Sequence, residues 1–184
     1  PKKIYSYIND YFNNKDLYKT KKISALVTTG PTREYLDPVR YISNESSGKQ
    51  GYEIALSLAK LGVKTTLITG PSQINFSKDI SIKKVITAEE MLTQVKKLLP
   101  VDIAICAAAV SDYKPKKISK HKLKKDSNNL SILKLEKNSD ILEYISKNNK
   151  SRPKLVVGFS AETENLIKNS IMKIKKKYCD LIIA

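Results

Sequence analysis

The sequence predicts an α/β fold: a doubly wound, Rossmann-like and mostly parallel sheet in a three-layer arrangement. Short apolar runs alternate with longer segments of helical periodicity, which favours parallel strands joined by right-handed helical crossovers. The run DIAICAAAV at residues 102–110 is apolar almost throughout, as in a central strand that helices cover on both faces. Gly48 and Gly51 stand between a predicted strand and a predicted helix, where such folds bind phosphate groups.

The first half of the chain opens with an arm and continues into the sheet. Residues 3–12 place apolar side chains at helical spacing and residues 13–22 are polar, so residues 1–22 are predicted to form a helical arm and linker. Residues 23–184 are predicted to form one nucleotide-binding domain. Its first elements are a strand at 23–28, a long loop, a helix at 48–61 that Gly62 terminates, and strands at 64–69 and 82–86.

The second half continues the alternation of strands and helices. Thr87 and Glu90 form a capping box for a helix that Pro100 terminates, and the strand at 102–110 follows. Residues 114–125 contain seven lysines and are predicted to be a loop. The remaining predicted elements are a strand at 130–135, a helix capped by Ser139, a strand at 155–159, a helix at 162–178 that buries Ile167, Ile171 and Ile174, and a strand at 180–184.

Composition narrows the possible classes of function. The chain has 184 residues, a net charge of +16, two cysteines and one histidine. Cys106, Cys179 and His121 cannot build a standard zinc site, so both cysteines are predicted to be small core residues. No apolar run approaches the roughly 18 residues that span a bilayer, so we expect no membrane partner and a cytoplasmic location. The excess of lysine has three interpretations: solvated faces, a site for a highly anionic substrate, or nucleic-acid binding.

The loop at residues 28–51 lacks both common phosphate fingerprints. Ser43 occupies the position of the first glycine of a Walker A motif, and Gln50 follows Lys49. Ser46 occupies the position of the first glycine of the dinucleotide motif GxGxxG, so that motif is incomplete. Because the loop is also far longer than a dinucleotide turn, we expect it to contact more than a pyrophosphate.

Five motifs occur in order along the chain. They are GPTREYLDPVRYISNESSGKQG at residues 30–51, CAAAVSDYKP at 106–115, KLKK at 122–125, LEKNSDIL at 135–142 and GFSAET at 158–163. Together they resemble the signature of phosphopantothenoylcysteine synthetase, in the form found as the C-terminal half of the bacterial bifunctional flavoprotein of coenzyme A synthesis. The pattern departs from the family's at Tyr35-Leu36, which stand for Pro-Ile, and at Ser139, which stands for Pro. The family continues beyond the position of Ala184, so the resemblance implies a C-terminally incomplete domain.

The resemblance implies a ligase of coenzyme A biosynthesis that couples 4′-phosphopantothenate to L-cysteine with CTP as co-substrate. The carboxylate attacks the α-phosphate of CTP and releases pyrophosphate; the amine of cysteine then attacks the acyl-cytidylate and releases CMP. The resemblance further implies Mg²⁺ on CTP, a homodimer, and fusion to an upstream phosphopantothenoylcysteine decarboxylase domain that carries FMN. It implies no nucleic-acid partner.

The resemblance also implies roles for particular residues. Lys122 matches the lysine that serves cytidylate formation, and its lysine-rich loop is expected to act as a lid. Asn44 matches the asparagine that handles the acyl-cytidylate, and Asp112 matches the aspartate that contacts the nucleotide, through the ribose or a metal ion. Arg33 and Arg40 are candidates for binding the phosphate of the substrate. Further nucleotide contacts are expected from Gly48, Ala107, Ala108, Ala109, Asn138, Ser139, Asp140, Ile141, Phe159 (stacked on cytosine), Lys173 and Lys177.

Two other classes of function remain open from the residues alone. A dinucleotide-dependent oxidoreductase would use the same sheet, but the glycine motif is incomplete and Thr69-Gly70 at the end of the second strand lacks an acidic ribose ligand. A basic nucleic-acid-binding module is supported only by the net charge of +16. Thermal stabilisation by CTP, by NAD(P) or by DNA distinguishes the three.

Overall fold

The computed structural model describes residues 23–124 and 132–184. The helical arm and linker predicted for residues 1–22 lie outside the described residues, and so do Lys125 and the first two residues of the strand predicted at 130–135. The helices are α1 (Lys49–Lys60), α2 (Ala88–Leu98), α3 (Ile141–Ser146) and α4 (Leu166–Lys177). The strands are β1 (Ser24–Thr29), β2 (Glu34–Tyr35), β3 (Tyr41–Ile42), β4 (Lys64–Thr69), β5 (Ser81–Lys84), β6 (Ile103–Cys106), β7 (Tyr113–Pro115), β8 (Leu135–Lys137), β9 (Leu155–Phe159) and β10 (Leu181–Ile183).

The central sheet has the strand order β10-β9-β6-β1-β4-β5, and all its neighbouring strands are parallel. Counted along the chain from one edge, this is the order 3-2-1-4-5-6 of doubly wound nucleotide-binding sheets. The direction of winding reverses between β1 and β6, so the loops that follow these two strands diverge and leave a crevice at their carboxyl ends. The predicted fold class is confirmed.

Successive side chains of β1 enter opposite layers of the core. Leu26 packs with Met91 and Val95 of α2 on one face of the sheet, in a cluster that also includes α3. Val27 packs with Ala55 of α1 on the other face. The alternation of side chains along a strand therefore builds two apolar layers around one sheet, as the three-layer prediction requires.

The ends of several elements differ from the prediction. The strand predicted at 102–110 pairs with β9 only as far as Cys106, although the N–H groups of Ala107 and Ala109 still donate to carbonyls of Thr28 and Gly30. The strand predicted at 130–135 is wrong in its bounds, because β8 begins at Leu135 and pairs antiparallel with β7. That pairing also places residues 113–115, the start of the predicted loop, in a strand.

Three predictions about the last helices are wrong. Asp140, not Ser139, caps α3, because its Oδ1 accepts a hydrogen bond from the N–H of Glu143 at 2.7 Å. The helix predicted from residue 162 begins only at Leu166, since Glu162 instead accepts hydrogen bonds from Ser160 and Asn169. The register of α4 buries Ser170 and leaves Ile167 76% and Ile171 49% exposed, so of the predicted apolar face Ile174 alone packs against the core.

In the described ranges, no helix combines the length and the apolar character that a membrane span requires.

Candidate functional site

The turn from β1 to α1 brings three glycines together. Gly30 and Gly48 both have positive φ angles, of 74° and 75°, and a Cβ added to Gly48 would lie 3.2 Å from the Cα of Gly30. A Cβ on Gly51 would lie 2.5 Å from Oγ1 of Thr29, so α1 packs directly on β1. Sequence reasoning sought a glycine at position 46 and missed the close approach of Gly30 to Gly48.

The long loop at residues 31–47 is an excursion from this turn, and it contacts the end of β6. Its strands β2 and β3 form a short antiparallel hairpin. Asn44 donates from Nδ2 to the carbonyl of Val110 at 3.0 Å, and Oγ1 of Thr32 accepts from the N–H of Ser111 at 3.1 Å. Asn44 is therefore held by the segment that leads from β6 to Asp112.

A cavity of about 610 Å³ opens at the carboxyl ends of β1, β6 and β9, next to the point where the winding reverses. Its size and place are those of ligand sites in doubly wound folds. Of the residues predicted from the sequence, those that line it are Ala108, Asp112, Asn138, Ser139, Asp140, Ile141, Phe159, Lys173 and Lys177. The predicted residues that do not line it are Arg33, Arg40, Asn44, Gly48, Ala107, Ala109 and Lys122.

Lysines and carboxylates share one wall of the cavity. Lys177 donates from Nζ to Oδ2 of Asp140 at 2.6 Å and to Oε2 of Glu143 at 3.1 Å. Burial by itself lowers the pKa of Lys177, but the two carboxylates outweigh it and raise that pKa above its ordinary value. Lys173 donates to the carbonyl of Phe159 at 2.8 Å, which holds its ammonium group at the end of β9.

Sequence reasoning missed three charged residues of this wall: Lys137, Glu143 and Lys176. Hydrogen bonds from Lys147 and Lys177 lower the pKa of Glu143. The side chains of Lys137 and Lys176 make no ion pair with any described residue. Two of these residues could have been found from their spacing in the sequence. Lys176 stands three residues after Lys173, on the same face of the helix, and Lys137 directly precedes Asn138.

Cys106 lines the cavity but is not suited to act as a nucleophile. Burial, followed by the charge of Asp140, raises the pKa of its thiol to about 12. The thiol is therefore neutral at pH 7. Cys106 is partly buried and packs against the core, and Cys179 is buried, which agrees with the prediction of small core residues.

The two arginines predicted for the substrate phosphate have partners within the excursion. The guanidinium of Arg33 stacks 4.6 Å from the centre of the Tyr41 ring. Arg40 donates from Nη2 to Oδ2 of Asp37 and to the carbonyl of Leu123, each at 2.6 Å. Their binding of a substrate phosphate stays a prediction.

Two exposed carboxylates line the cavity; Lys177 binds Asp140, so Asp112 is the candidate for a metal ion. Among the described residues, no group of three or more histidine, cysteine, aspartate or glutamate side chains could hold a metal. Asp112 is exposed at the cavity, and Mg²⁺ commonly binds through one or two carboxylates together with substrate phosphates. Asp112 therefore fits an ion that arrives with a nucleotide, and this role stays a prediction.

Comparison with known proteins gives consistent matches along nearly the whole chain. The family model for the DNA/pantothenate metabolism flavoprotein C-terminal domain matches residues 20–184. The coenzyme A biosynthesis bifunctional protein CoaBC of Borreliella burgdorferi is 45% identical over 184 residues, which cover 99% of this chain and 46% of that protein. CoaBC of Haemophilus influenzae is 40% identical over 185 residues, covering 100% and 45%. The chain thus spans less than half the length of the curated relatives it matches.

Two solved structures resemble the fold closely. The C-terminal domain of a CoaBC protein gives a TM-score of 0.77 at 36% identity, over 89% of this chain and 77% of that one. A Cab2 mutant in complex with phosphopantothenate-cysteine gives a TM-score of 0.72 at 18% identity, over 100% of this chain and 79% of that one. The second likeness shows the fold alone.

Proposed function

The chain belongs to the DNA/pantothenate metabolism flavoprotein C-terminal domain family, and from this premise we propose that it ligates 4′-phosphopantothenate to L-cysteine with CTP, through an acyl-cytidylate. The observation that carries the proposal is the cavity where the winding of the sheet reverses, because four lysines line it. A site of this kind suits a substrate with several phosphates. The five sequence motifs support the choice of substrates.

The cavity can hold the nucleotide by three kinds of contact. Phe159 offers a half-buried ring for the cytosine, and Asp112 offers a carboxylate for the ribose hydroxyls or for Mg²⁺. Lys137, Lys173, Lys176 and Lys177 supply positive charge for the phosphates. Bound there with the triphosphate, Mg²⁺ would add further neutralisation of charge. Lys173 and Lys177 already have protein partners, so the phosphates would share them with Phe159, Asp140 and Glu143.

The two steps of the reaction need different help. In the first, a carboxylate oxygen of phosphopantothenate attacks the α-phosphorus, the bond to pyrophosphate breaks, and Lys122 neutralises the charge that develops there. In the second, the amine of cysteine attacks the acyl carbon, loses a proton, and CMP leaves. An amide nitrogen has two N–H groups, and the bond to Val110 uses one, so Asn44 can direct the other at the acyl oxygen.

We also propose the wider context that the relatives suggest. The matched relatives are named bifunctional and are more than twice the length of the matched segment. We infer that this chain is fused to a phosphopantothenoylcysteine decarboxylase domain with FMN, forms a homodimer and works in the cytoplasm.

The test follows both half-reactions in the whole protein by mass spectrometry of quenched mixtures. Lys122→Gln should reduce pyrophosphate release about a hundred- to a thousandfold, even without cysteine. Asn44→Asp should still form the acyl-cytidylate and accumulate it. Lys120→Gln removes an exposed charge from the same loop and should change neither step. Accumulated intermediate with Lys122→Gln, or normal product with Asn44→Asp, would refute these assignments.

A second function keeps one specific observation in its favour. The strand order is also that of dinucleotide-binding oxidoreductases. A ligand at a hundred times its dissociation constant stabilises a protein by about 2.7 kcal/mol. We expect this stabilisation with CTP and not with NAD(P) or DNA, and weaker pyrophosphate release with ATP than with CTP.

A further inference from the structure

The segment that carries Lys122 is tied to the excursion by three hydrogen bonds, one between backbone groups and two between the backbone of Leu123 and side chains. The N–H of Ser119 donates to the carbonyl of Leu36 at 2.9 Å. The N–H of Leu123 donates to Oδ2 of Asp37 at 3.1 Å, and the carbonyl of Leu123 accepts from Nη2 of Arg40 at 2.6 Å. The backbone N–H and the carbonyl of Leu123 are therefore both bound by side chains of one turn, those of Asp37 and Arg40. We call Asp37, Arg40 and Leu123 the clasp.

Asp37 is the centre of the clasp. Its carboxylate is 1% exposed, and Oδ1 accepts hydrogen bonds from the N–H groups of Val39 and Arg40 at 2.8 and 2.9 Å. Oδ2 accepts from the guanidinium of Arg40 and from Leu123. Burial alone raises the pKa of Asp37, but these bonds outweigh it and hold that pKa well below its ordinary range. The carboxylate therefore remains charged across the range in which the protein works.

The segment has a reason to need such a tie. Lys116, Lys117, Lys120 and Lys122 are exposed on it and repel one another, and Ile118 is 62% exposed. Little apolar contact is available to hold the segment, so the polar bonds at Ser119 and Leu123 fix its course. Leu123 directly follows Lys122, and fixing its peptide unit fixes the backbone from which the Lys122 side chain extends.

We propose that Asp37 is a positioning residue that holds the backbone beside Lys122, so that its ammonium group reaches the α-phosphate in the first half-reaction. The inference rests on the proposed function for the role of Lys122, but the clasp itself can be measured separately. Asp37 touches none of the three substrates in this scheme and acts only through Leu123 and Arg40.

The first test is hydrogen–deuterium exchange of the whole protein, followed at the peptide that contains Leu123. Asp37→Asn removes the charged acceptor, and exchange at Leu123 should rise about tenfold or more, as expected for the loss of a hydrogen bond to a charged group. The control is Asp79→Asn, which makes the same change in an exposed turn, where Asp79 forms hydrogen bonds with Ser77. If Asp37→Asn fails to fold, Arg40→Lys, which removes the bond to the Leu123 carbonyl, should raise the same exchange. Unchanged exchange overturns the clasp.

The second test is a double-mutant cycle on pyrophosphate release. Asp37→Asn should lower kcat about tenfold with little change in KM for CTP, and should have almost no further effect in the Lys122→Gln background. If Asp37 had a merely structural role, Asp37→Asn would lower kcat by the same factor in the wild type and in the Lys122→Gln variant. That result overturns the positioning role. If Lys122→Gln has normal activity, the proposed role of Lys122 fails and the positioning role falls with it, whereas exchange at Leu123 still decides whether the clasp exists.

Discussion

The two halves of the sheet pack a glycine against their helices in different ways. On the β1–β4–β5 side, a Cβ on Gly51 would lie 2.5 Å from Oγ1 of Thr29 and 3.1 Å from the carbonyl oxygen of Thr28. On the β6–β9–β10 side, a Cβ on Gly158 would lie 2.6 Å from Cδ2 of Leu142 and 2.7 Å from Cδ1 of Ile182. The first glycine faces backbone and a fully buried side chain, whereas the second faces the ends of flexible side chains.

This difference distinguishes a fixed side, the glycine turn next to the cavity, from an adjustable side, the wall of the cavity that carries the lysines. The glycine turn is set by the backbone, and Thr29 cannot move without breaking its 2.6 Å hydrogen bond to the carbonyl of Gly48. The opposite wall consists of long side chains, such as Lys173 and Lys177, whose partners can be exchanged for a ligand.

The largest expected effect tests the two glycines as a matched pair. Gly51→Ala should destabilise the protein by about 2 kcal/mol, because overpacking costs up to about 3 kcal/mol and the higher helix propensity of alanine returns about 1 kcal/mol. Gly158→Ala should cost less than about 1 kcal/mol, since Leu142 and Ile182 can change rotamer. Urea denaturation measures both variants. Equal losses of stability in the two variants would remove the distinction between the fixed and the adjustable side.

Much of the fixed side, which includes β1, β4 and β5, could be predicted from local sequence. The capping box of Thr87 and Glu90 is confirmed, because its bonds form within one turn of chain. The alternation of Leu26 and Val27 between layers follows from the geometry of a strand. The hairpin of β2 and β3 was missed, since strands of two residues leave no periodic pattern to detect.

The adjustable side, which includes β6, β9 and β10, was harder to predict because its contacts join distant parts of the chain. Lys177 meets Asp140 and Glu143 across more than thirty positions, and nothing in the helical pattern of α4 signals these partners. Periodicity suggested an inward face with Ile167 and Ile171, but the helix turns Ser170 and Ile174 to the sheet. The grouping of site residues near one edge was predictable, since parallel strands all end there.

A smaller effect is expected at Ser170, on the adjustable side. Within the part of the chain that the structure describes, its buried hydroxyl has no hydrogen-bond partner. Ser170→Ala removes that group and favours the helix, so the free energy of unfolding should rise by about 1 kcal/mol. Ser57→Ala on α1 is the control, because that hydroxyl is exposed and bonded to Glu53. A loss of stability at Ser170→Ala would point to a partner for this hydroxyl.

The smallest effect concerns pH and the joint between the two halves. Asp102 lies directly before β6. Its carboxylate accepts hydrogen bonds from the backbone N–H and the hydroxyl of Ser24, the first residue of β1, and from the ammonium group of Lys154, which directly precedes β9. The backbone bond from Ser24, followed by that from Lys154, lowers the pKa of Asp102 from 3.8 to about 2. Its stabilisation is therefore complete above about pH 4 and is lost as the pH falls toward 2.

Thermal unfolding across pH checks this joint. The difference in Tm between the wild type and Asp102→Asn should be constant from pH 8 to about pH 5 and should narrow between about pH 4 and pH 2. Ser57→Ala removes no titratable group, so the difference in Tm between this control and the wild type should not narrow over the same range. A constant difference for Asp102→Asn down to pH 2 would contradict the role given to the charge of Asp102.

The closeness of Gly30 and Gly48 has a consequence for how this protein can change. Residues 31–47 leave the turn and return to it at almost the same point, because a Cβ on Gly48 would lie only 3.2 Å from the Cα of Gly30. For protein engineering, this stretch is an insertion whose two ends lie side by side. The distance between β1 and α1 is therefore set at these ends, and the excursion can present the clasp at its tip and Asn44 near its end without disturbing the sheet beneath.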